Sequence, residues 1–197
     1  PWPLPMTAMI NRPGTTCPWI PLLMLMAAGL RAAPVVAAPV VDTRSGMEGK
    51  VVCGYQGWFR AEGDGSGLGW IHYGVDGKFA PGRAGIDLWP EVADLPAPDR
   101  LPTGFRHADG RIAEVFSSVR PATVDIHFRW MREHGIDGVM VQRFATTTRD
   151  VRLIPSLDTV LANCRNAART HQRGWALMYD LSGLKPGEAD VVIADWR

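Results

Sequence analysis

The stretch TVDIHFRWMREHGIDGVMVQRF, residues 123–144, decides the fold because it joins an amphipathic helix to a buried strand through one glycine. Apolar side chains recur at positions i, i+4 and i+7 from Val124, and Gly135 follows as a helix stop. The next run, IDGVMVQ at 136–142, is typical of a strand that is covered on both faces. A helix that leads directly into such a strand predicts a βαβ unit and a parallel sheet.

The segments on either side repeat this alternation. The sequence predicts a first strand over Lys50–Tyr55, a second helix over 155–170, a third strand over Trp175–Tyr179 and the start of a further helix over 188–197. The predicted order is strand, long insertion, helix, strand, helix, strand and start of a helix. This order indicates the α/β class, although spacing alone does not separate a barrel from an open sheet.

The long insertion, residues 56–120, is rich in glycine and proline and shows no sustained period. A connection of this length is too long for an ordinary loop, so we expect a functional loop or small elements within it. The glycine run at 63–69 lacks the spacing and the lysine of a phosphate-binding loop, which predicts a flexible loop instead. Asp109 precedes a glycine and is expected to form a turn.

Composition excludes several classes of protein. The 197 residues are 46% hydrophobic and 21% charged with a net charge of +1, which is ordinary for a globular protein. The basic residues form no stripe, so no nucleic-acid partner is expected. Cys53 and Cys164 could pair in an exported protein, but both lie in apolar periodic segments where a buried thiol is common.

The N-terminal segment, 1–38, has the character of an export signal. It contains no Asp or Glu, Arg12 supplies a positive charge, and the run IPLLMLMAAGL at 20–30 is apolar throughout. That run is shorter than the ~20 residues that a membrane-spanning helix needs. Small residues at Val36–Ala38 offer a cleavage site. We expect residues 1–38 to be the signal peptide with upstream residues, 39–49 a flexible leader, and the mature protein periplasmic or extracellular without a stable membrane anchor.

A polar side chain beside an aromatic or apolar one follows each predicted strand. The carboxyl ends of parallel strands meet at one edge of a sheet, where binding sites lie. Aromatic faces pack on the C–H surfaces of sugars, while amides and carboxylates bind hydroxyl groups. Any single aromatic is as readily a core residue, but the repetition favours a site. The candidates are Tyr55, Gln56, Trp58, Gln142, Arg143, Tyr179 and Asp180 at the strand ends, with His72, Asp87 and Trp89 from the insertion.

Other side chains fit no metal or catalytic motif. His127 and His134 lie on one predicted helix, seven residues apart, which is not the spacing of a zinc-binding helix. We therefore predict that both lie on a solvated helix face, and no metal site is expected. Asp87 and Asp180 are the two carboxylates best placed for function.

Six stretches resemble exported proteins of the glycoside hydrolase family 99-like, or family 71/99-like, group, and GYQGWF, DLWP and MYDLSG are the most specific blocks within them. The stretches are CGYQGWFRAEGDGSGLGWIHYG (53–74), IDLWPEVADL (86–95), PTGFRHADG (102–110), VFSS (115–118), TVDIHFRWMREHGIDGVMVQRF (123–144) and MYDLSG (178–183). The resemblance implies the N-terminal part of a (β/α)8 TIM barrel with a long insertion after its first strand.

The resemblance also implies hydrolysis of O-glycosyl bonds in an oligo- or polysaccharide by two carboxylates, with no metal or organic cofactor. Tyr55 falls at the aromatic position after the first strand, and Asp180 falls at the acidic position after the third as the catalytic candidate. The main catalytic glutamate pair is expected beyond Arg197. Such barrels typically need ~250 residues, so residues 50–197 are expected to be a truncated N-terminal part.

In this reading Tyr55, Trp58 and Trp89 stack on sugar rings, whereas the polar candidates bind hydroxyl groups. Two alternatives of other classes stay open. One is a non-catalytic, lectin-like sugar-binding barrel, and the other is a structural α/β domain without a ligand.

Overall fold

The structure is a computed structural model that describes residues 46–196. The expected signal peptide, residues 1–38, and most of the expected leader lie outside the described residues. Within residues 46–196, no helix is both long enough and apolar enough to span a membrane.

A three-stranded parallel sheet and the helices that cover it form the main layers. The strands β1, β4 and β5 lie side by side with β4 in the centre, while β2 and β3 form a separate antiparallel pair. The predicted order of elements and the α/β class are confirmed. In chain order the elements are β1 (Val52–Tyr55), β2 (Leu101–Arg106), β3 (Ile112–Val115), α1 (Pro121–Glu133), β4 (Gly138–Phe144), α2 (Ile154–His171), β5 (Gly174–Asp180) and α3 (Asp190–Trp196).

Helix α1 begins and ends where its sequence predicts. Pro121 occupies the first turn, where its missing N–H would have no partner within the helix. At the other end Gly135 takes a φ of 74°, and the N–H of Ile136 donates to the carbonyl of Met131 at 2.8 Å. This closing geometry satisfies a carbonyl that the helix leaves free and turns the chain into β4.

Helix α2 closes in the same way, but without a glycine. The N–H of Arg173 donates to the carbonyl of Ala168 at 2.9 Å, and Gln172 holds the left-handed position with a φ of 55°. A side chain with a Cβ is strained in this conformation by about 1–2 kcal/mol. The short connection from α2 to β5 therefore contains a strained residue, Gln172.

Among residues 46–196, helices cover one face of the sheet and none packs on the other, which we call the uncovered face. In the parallel register Val139 lies between Cys53 and Trp175, and Gln142 lies beside Met178. Because successive side chains point to opposite faces, each strand contributes alternate residues to each face. The covered face carries Cys53, Tyr55, Val139, Val141, Arg143, Trp175, Leu177 and Tyr179. The uncovered face carries Val52, Gly54, Met140, Gln142, Phe144, Ala176, Met178 and Asp180.

The main core lies between the covered face and the helices α1 and α2. Val124 and Phe128 from α1 pack there with Val160 and Cys164 from α2 and with the strand residues. The loop after β1 approaches α2 so closely that a Cβ on Gly57 would lie 2.4 Å from Cγ1 of Val160. A glycine is therefore required at this position. Both cysteines of the described residues, Cys53 and Cys164, are free thiols.

The insertion folds around an aromatic core of its own, so the expectation of small elements within it is confirmed. Trp70, Tyr73 and Phe79 are buried there with aliphatic residues from β2 and β3. Asp109 accepts the backbone N–H of Arg111 at 3.0 Å in the turn between these strands, as expected of a turn former.

The glycine run at 63–69, for which composition predicts a flexible loop, contains a buried carboxylate with several hydrogen bonds. Asp64 is 5% exposed and accepts the backbone N–H groups of Ala61 and Ser66 and the hydroxyl of Ser117, the last at 2.7 Å. Burial raises the pKa of Asp64, but these hydrogen bonds outweigh it, and the pKa lies below its usual value. The loop is thus fixed to the chain just before α1.

Candidate functional site

Two predicted site residues meet at the carboxyl ends of β4 and β5, on the uncovered face. The amide Nε2 of Gln142 donates to Oδ2 of Asp180 at 2.5 Å, and the backbone N–H of Ser182 donates to Oδ1 at 2.8 Å. Hydrogen bonds from Ser182 and then from Gln142 hold the pKa of the Asp180 carboxyl below its usual value. The carboxylate is therefore ionised at neutral pH, with its amide neighbour held at a fixed distance.

An aromatic wall borders this pair. The ring centroid of Trp58 lies 5.0 Å from that of His72 and 4.9 Å from that of Phe144. These three residues and Gln142 line a cleft of about 60 Å³, together with residues that include Arg60. The structure thus brings together Trp58, His72, Gln142 and, through Gln142, Asp180; we call this set the strand-end cluster.

His72 adopts a strained backbone conformation within this cluster. Its φ is 63°, a left-handed value that is uncommon for residues with a Cβ. Burial, and then the positive charge of Arg60, lower the pKa of its imidazole. The ring is consequently uncharged at neutral pH and can both donate and accept a hydrogen bond. Strain of this kind is concentrated at functional sites.

Arg60 also lines the cleft, although no sequence motif indicates it as a site residue. Its side chain is 2% exposed and donates to the carbonyls of Gly57 and Phe59, at 2.9 and 3.0 Å, and to the hydroxyl and carbonyl of Ser156. Burial lowers the pKa of its guanidinium to about 10, so the group remains charged at neutral pH. In the sequence Arg60 is distinguished only as a charged residue directly after the GYQGWF block.

Tyr55 does not take the sugar-stacking position that the sequence analysis assigns to it. Its ring is 8% exposed on the covered face, packs against Phe128, and its hydroxyl lies 2.9 Å from Nδ1 of His127. Tyr55 and Gln142 extend from different faces because strand residues alternate. Tyr55 is therefore a core residue.

The prediction of a solvated His127 is wrong, whereas His134 is exposed as predicted. His127 packs between the rings of Phe116 and Trp130, with centroids 5.2 and 5.7 Å away. Burial lowers its pKa to about 4 and raises the pKa of Tyr55 well above its usual value. The phenol keeps its proton and the imidazole is uncharged, so the tautomer of His127 decides which of the two groups donates in this contact.

Arg143 and Tyr179 also lie on the covered face, away from the strand-end cluster. The guanidinium of Arg143 contacts Asp158 at 3.0 Å and Asp195 at 2.6 Å, and the hydroxyl of Tyr179 donates to Asp195. These contacts connect α2 and α3 to the sheet. Neither Arg143 nor Tyr179 lines the cleft beside Trp58, because each follows or precedes a cluster residue by one position and so points to the opposite face.

Of the remaining candidates, none lines the cleft in the described part of the chain. Trp89 stacks on Phe79, with centroids 5.7 Å apart and an interplanar angle of 18°, and its Nε1–H donates to the carbonyl of Glu114. Trp89 is therefore half-buried against the core of the insertion and does not line the cleft beside Trp58. Gln56 is exposed directly after β1, and Asp87 is exposed within the insertion.

Among residues 46–196, no group of three or more His, Cys, Asp or Glu side chains is arranged to hold a metal ion. The chemistry available at the strand-end cluster is therefore that of one ionised carboxylate, one amide, one uncharged imidazole and aromatic faces. Compared with family models, with curated proteins and with solved structures, the chain gives no match.

Proposed function

We propose that this chain is the sugar-binding, N-terminal part of an exported glycoside hydrolase of the family 99-like or family 71/99-like kind. The observation that carries the proposal is the hydrogen bond between Gln142 and Asp180 at the ends of adjacent parallel strands, beside Trp58. An amide and a carboxylate at fixed distance suit neighbouring hydroxyl groups of a sugar, since together they supply donors and acceptors. The indole face supplies an apolar surface for the C–H side of the ring.

The arrangement of helices supports a barrel rather than an open doubly wound sheet. Helices α1 and α2 both pack on the covered face, whereas a doubly wound sheet has helices on both faces. The uncovered face carries Met140, Ala176 and Met178 between its polar ends. In a (β/α)8 barrel this face would become the filled interior, and the strand-end cluster would lie at the rim where such enzymes hold their substrates.

Asp180 contributes to this function as a hydroxyl-binding carboxylate near the reacting sugar. Hydrolysis of a glycosidic bond uses two carboxyl groups, one that protonates the leaving oxygen and one that assists attack. The cluster contains one carboxylate in the described residues, and the resemblance puts the glutamate pair of the reaction beyond Arg197. Asp180 would then orient a hydroxyl group of the sugar, and its low pKa keeps it an acceptor throughout the reaction.

Binding by the chain itself tests the proposal. We expect xylo- or manno-oligosaccharides to bind in isothermal titration calorimetry, and Asp180→Asn to weaken that binding by about tenfold or more, because a hydrogen bond to a charged group is worth about 1.5–3 kcal/mol. Asp109→Asn is the matched control, since Asp109 is an exposed turn carboxylate in the insertion. Unchanged affinity in Asp180→Asn would contradict the assigned role. The absence of any thermal shift with oligosaccharides would favour a structural domain.

A lectin-like, non-catalytic protein is the second candidate, because a single carboxylate in the cluster suffices for binding but not for hydrolysis. The two are separated in a protein extended beyond Arg197. The hydrolase releases reducing ends from an oligosaccharide that it binds, and Asp180→Ala lowers its kcat/KM beyond any loss of stability. A lectin binds the same oligosaccharide and releases none.

A further inference from the structure

The strand ends that carry Gln142 and Asp180 are joined a second time, on the covered face of the sheet. Arg143 and Tyr179 are partners in the parallel register; Arg143 directly follows Gln142 in the chain, and Tyr179 directly precedes Asp180. One carboxylate of α3 accepts hydrogen bonds from both of them. Nη2 of Arg143 lies 2.6 Å from Oδ1 of Asp195, and the hydroxyl of Tyr179 donates to Oδ2. Asp195 therefore connects β4 to β5 one residue away from the pair that we assign to sugar binding.

This connection is charged and shielded from solvent. The side chains of Arg143 and Asp195 are 7% and 11% exposed. Burial raises the pKa of the Asp195 carboxyl, but hydrogen bonds from Arg143 and then Tyr179 outweigh it, and the pKa lies below its usual value. Burial, and then the hydrogen bond to Asp195, raise the pKa of Tyr179 to about 12, so the phenol keeps its proton and donates. Asp195 is thus an ionised acceptor that offers one oxygen to each strand.

A second carboxylate contacts the same guanidinium but joins other elements. Oδ1 of Asp158, from α2, lies 3.0 Å from Nη1 of Arg143, and its side chain is 59% exposed. Among residues 46–196, the hydrogen bonds of its side chain include none to β5. Asp158 therefore ties α2 to β4, whereas Asp195 ties β4 to β5. The two carboxylates separate support of Arg143 from support of the strand pair.

We propose that Asp195 is a positioning residue for the candidate site: by bridging Arg143 and Tyr179 on the covered face, it fixes the strand ends that present their polar groups on the uncovered face. Binding groups must be held within about 0.5 Å of their working geometry by the residues around them. A shift of one strand end against the other changes the distance from the amide of Gln142 to the carboxylate of Asp180. The spacing offered to two sugar hydroxyls then changes with it. This inference rests on the proposed sugar-binding function and assigns a residue that contacts no sugar itself.

Asp195→Asn tests the proposal, because an amide offers one acceptor oxygen in place of two and carries no charge. In isothermal titration calorimetry with xylo- or manno-oligosaccharides, we expect this variant to bind about threefold more weakly or worse, as for coupled groups in contact. Tyr179→Phe keeps the ring, removes only the bond from β5, and should weaken binding in the same direction. Asp158→Asn is the matched control, since it takes a carboxylate from the same Arg143 but leaves the bridge, and it should leave the affinity unchanged.

The Asp180→Asn background shows whether Asp195 acts through Asp180. If it does, adding Asp195→Asn to Asp180→Asn weakens binding less than the same change weakens binding by the parent. Strictly additive effects overturn the proposal, because Asp195 then acts on binding independently of Asp180. An equal loss in Asp158→Asn also overturns it, since the loss then follows from the environment of Arg143 and not from the bridge between strands.

An NMR titration of the Asp180 carboxyl carbon follows the same pair without a sugar. Hydrogen bonds from Ser182 and then Gln142 hold the pKa of Asp180 below its usual value, so a pair that moves apart in Asp195→Asn should raise this pKa. Removing the negative charge of Asp195 would by itself lower the pKa, so the direction of the shift separates the two effects. A raised pKa in a chain that binds no oligosaccharide supports the positioning role and contradicts the proposed function. An unchanged or lowered pKa overturns the positioning role, whether or not a sugar binds.

Discussion

The half-buried His127 predicts a specific loss of stability in mild acid. Its pKa is about 4 in the folded chain, against 6.5 for an unperturbed histidine. Between these pH values His127 is protonated in the unfolded chain but not in the folded chain. The free energy of unfolding therefore falls as the pH falls. This contribution is fully present above pH 6.5 and is lost progressively towards pH 4.

The magnitude follows from the two pKa values. From pH 7 to pH 5 the linkage relation gives a loss of about 2 kcal/mol from this one group, at about 1.4 kcal/mol per pKa unit. His127→Gln removes the titrating group but keeps an oxygen that can accept the hydroxyl of Tyr55. The variant loses some stability at pH 7, because the packing of an imidazole between Phe116 and Trp130 is not reproduced. Its further loss between pH 7 and pH 5 should be smaller than that of the parent by this same amount, since the linkage contribution of His127 is gone.

Urea unfolding at pH 7 and pH 5, followed by tryptophan fluorescence, measures this difference. His134→Gln is the matched control, since His134 caps the C-terminal end of the same helix and is exposed, and this variant should lose as much as the parent. His72 also has a lowered pKa, but it is present in all three proteins and cancels from the comparison. If His127→Gln and the parent lose the same amount within about 0.5 kcal/mol, His127 is not held uncharged by its surroundings, and the interpretation of its contact with Tyr55 fails.

Three further predictions concern stability and are each measured by urea unfolding at pH 7. Gln172→Gly relieves the left-handed strain at the end of α2 and should raise the free energy of unfolding by about 0.5–1 kcal/mol; a decrease would show that the side chain offsets its strain. Gly57→Ala should lower it by about 1–3 kcal/mol, because the added Cβ meets Cγ1 of Val160 at 2.4 Å. Val160→Ala should destabilise the Gly57→Ala variant less than it destabilises the parent, because it removes the atom that the new Cβ meets. If the effects of the two substitutions are strictly additive, the clash is not the cause. Asp64→Asn should cost about 1–3 kcal/mol through weakened hydrogen bonds, and a neutral result would contradict its role in fixing the loop.

The order of the helices and strands can be predicted from the sequence because it depends on local patterns. The period of α1, the glycine at 135 and the apolar runs of β4 and β5 depend on neighbours within a few residues, and the structure confirms each of them. The turn at Asp109 is local in the same sense, since the carboxylate accepts an N–H two residues away. Such features require no knowledge of tertiary contacts.

The composition of the site depends on strand alternation, which the mere presence of polar and aromatic residues at the strand ends does not show. Gln142 and Arg143 are adjacent, as are Tyr179 and Asp180, so within each pair the two side chains must point to opposite faces. In the observed register Gln142 and Asp180 share the uncovered face, whereas Arg143 and Tyr179 share the covered face. If β4 and β5 are assumed to be parallel and to end at the same level, strand alternation alone predicts which of these four residues share a face.

The environments of Arg60 and His127 could not be predicted, because they depend on long-range contacts. Arg60 is hydrogen-bonded to Ser156, 96 residues away, and the half-buried His127 is hydrogen-bonded to Tyr55, 72 residues away. A helical period assigns His127 to a flank of the apolar stripe but does not say which loop or strand residue lies against it. Whether a polar residue at the edge of an apolar stripe is buried or exposed is decided by the element that packs against it.

The insertion between β1 and β4 has a consequence for the order in which the chain folds. Across the β1–β4 boundary the backbone N–H of Val51 donates to Asp137, 86 residues away, whereas Gln142 and Asp180 join β4 to β5 over 38 residues. Closing the longer loop as a flexible coil costs about 0.7 kcal/mol more in chain entropy, so β4, α2 and β5 are expected to assemble first. An insertion that has already condensed around Trp70, Tyr73 and Phe79 shortens the effective loop before β1 docks. The aromatic core of the insertion would then hold β1 near β4 and speed the pairing of these two strands, which are the most distant in sequence.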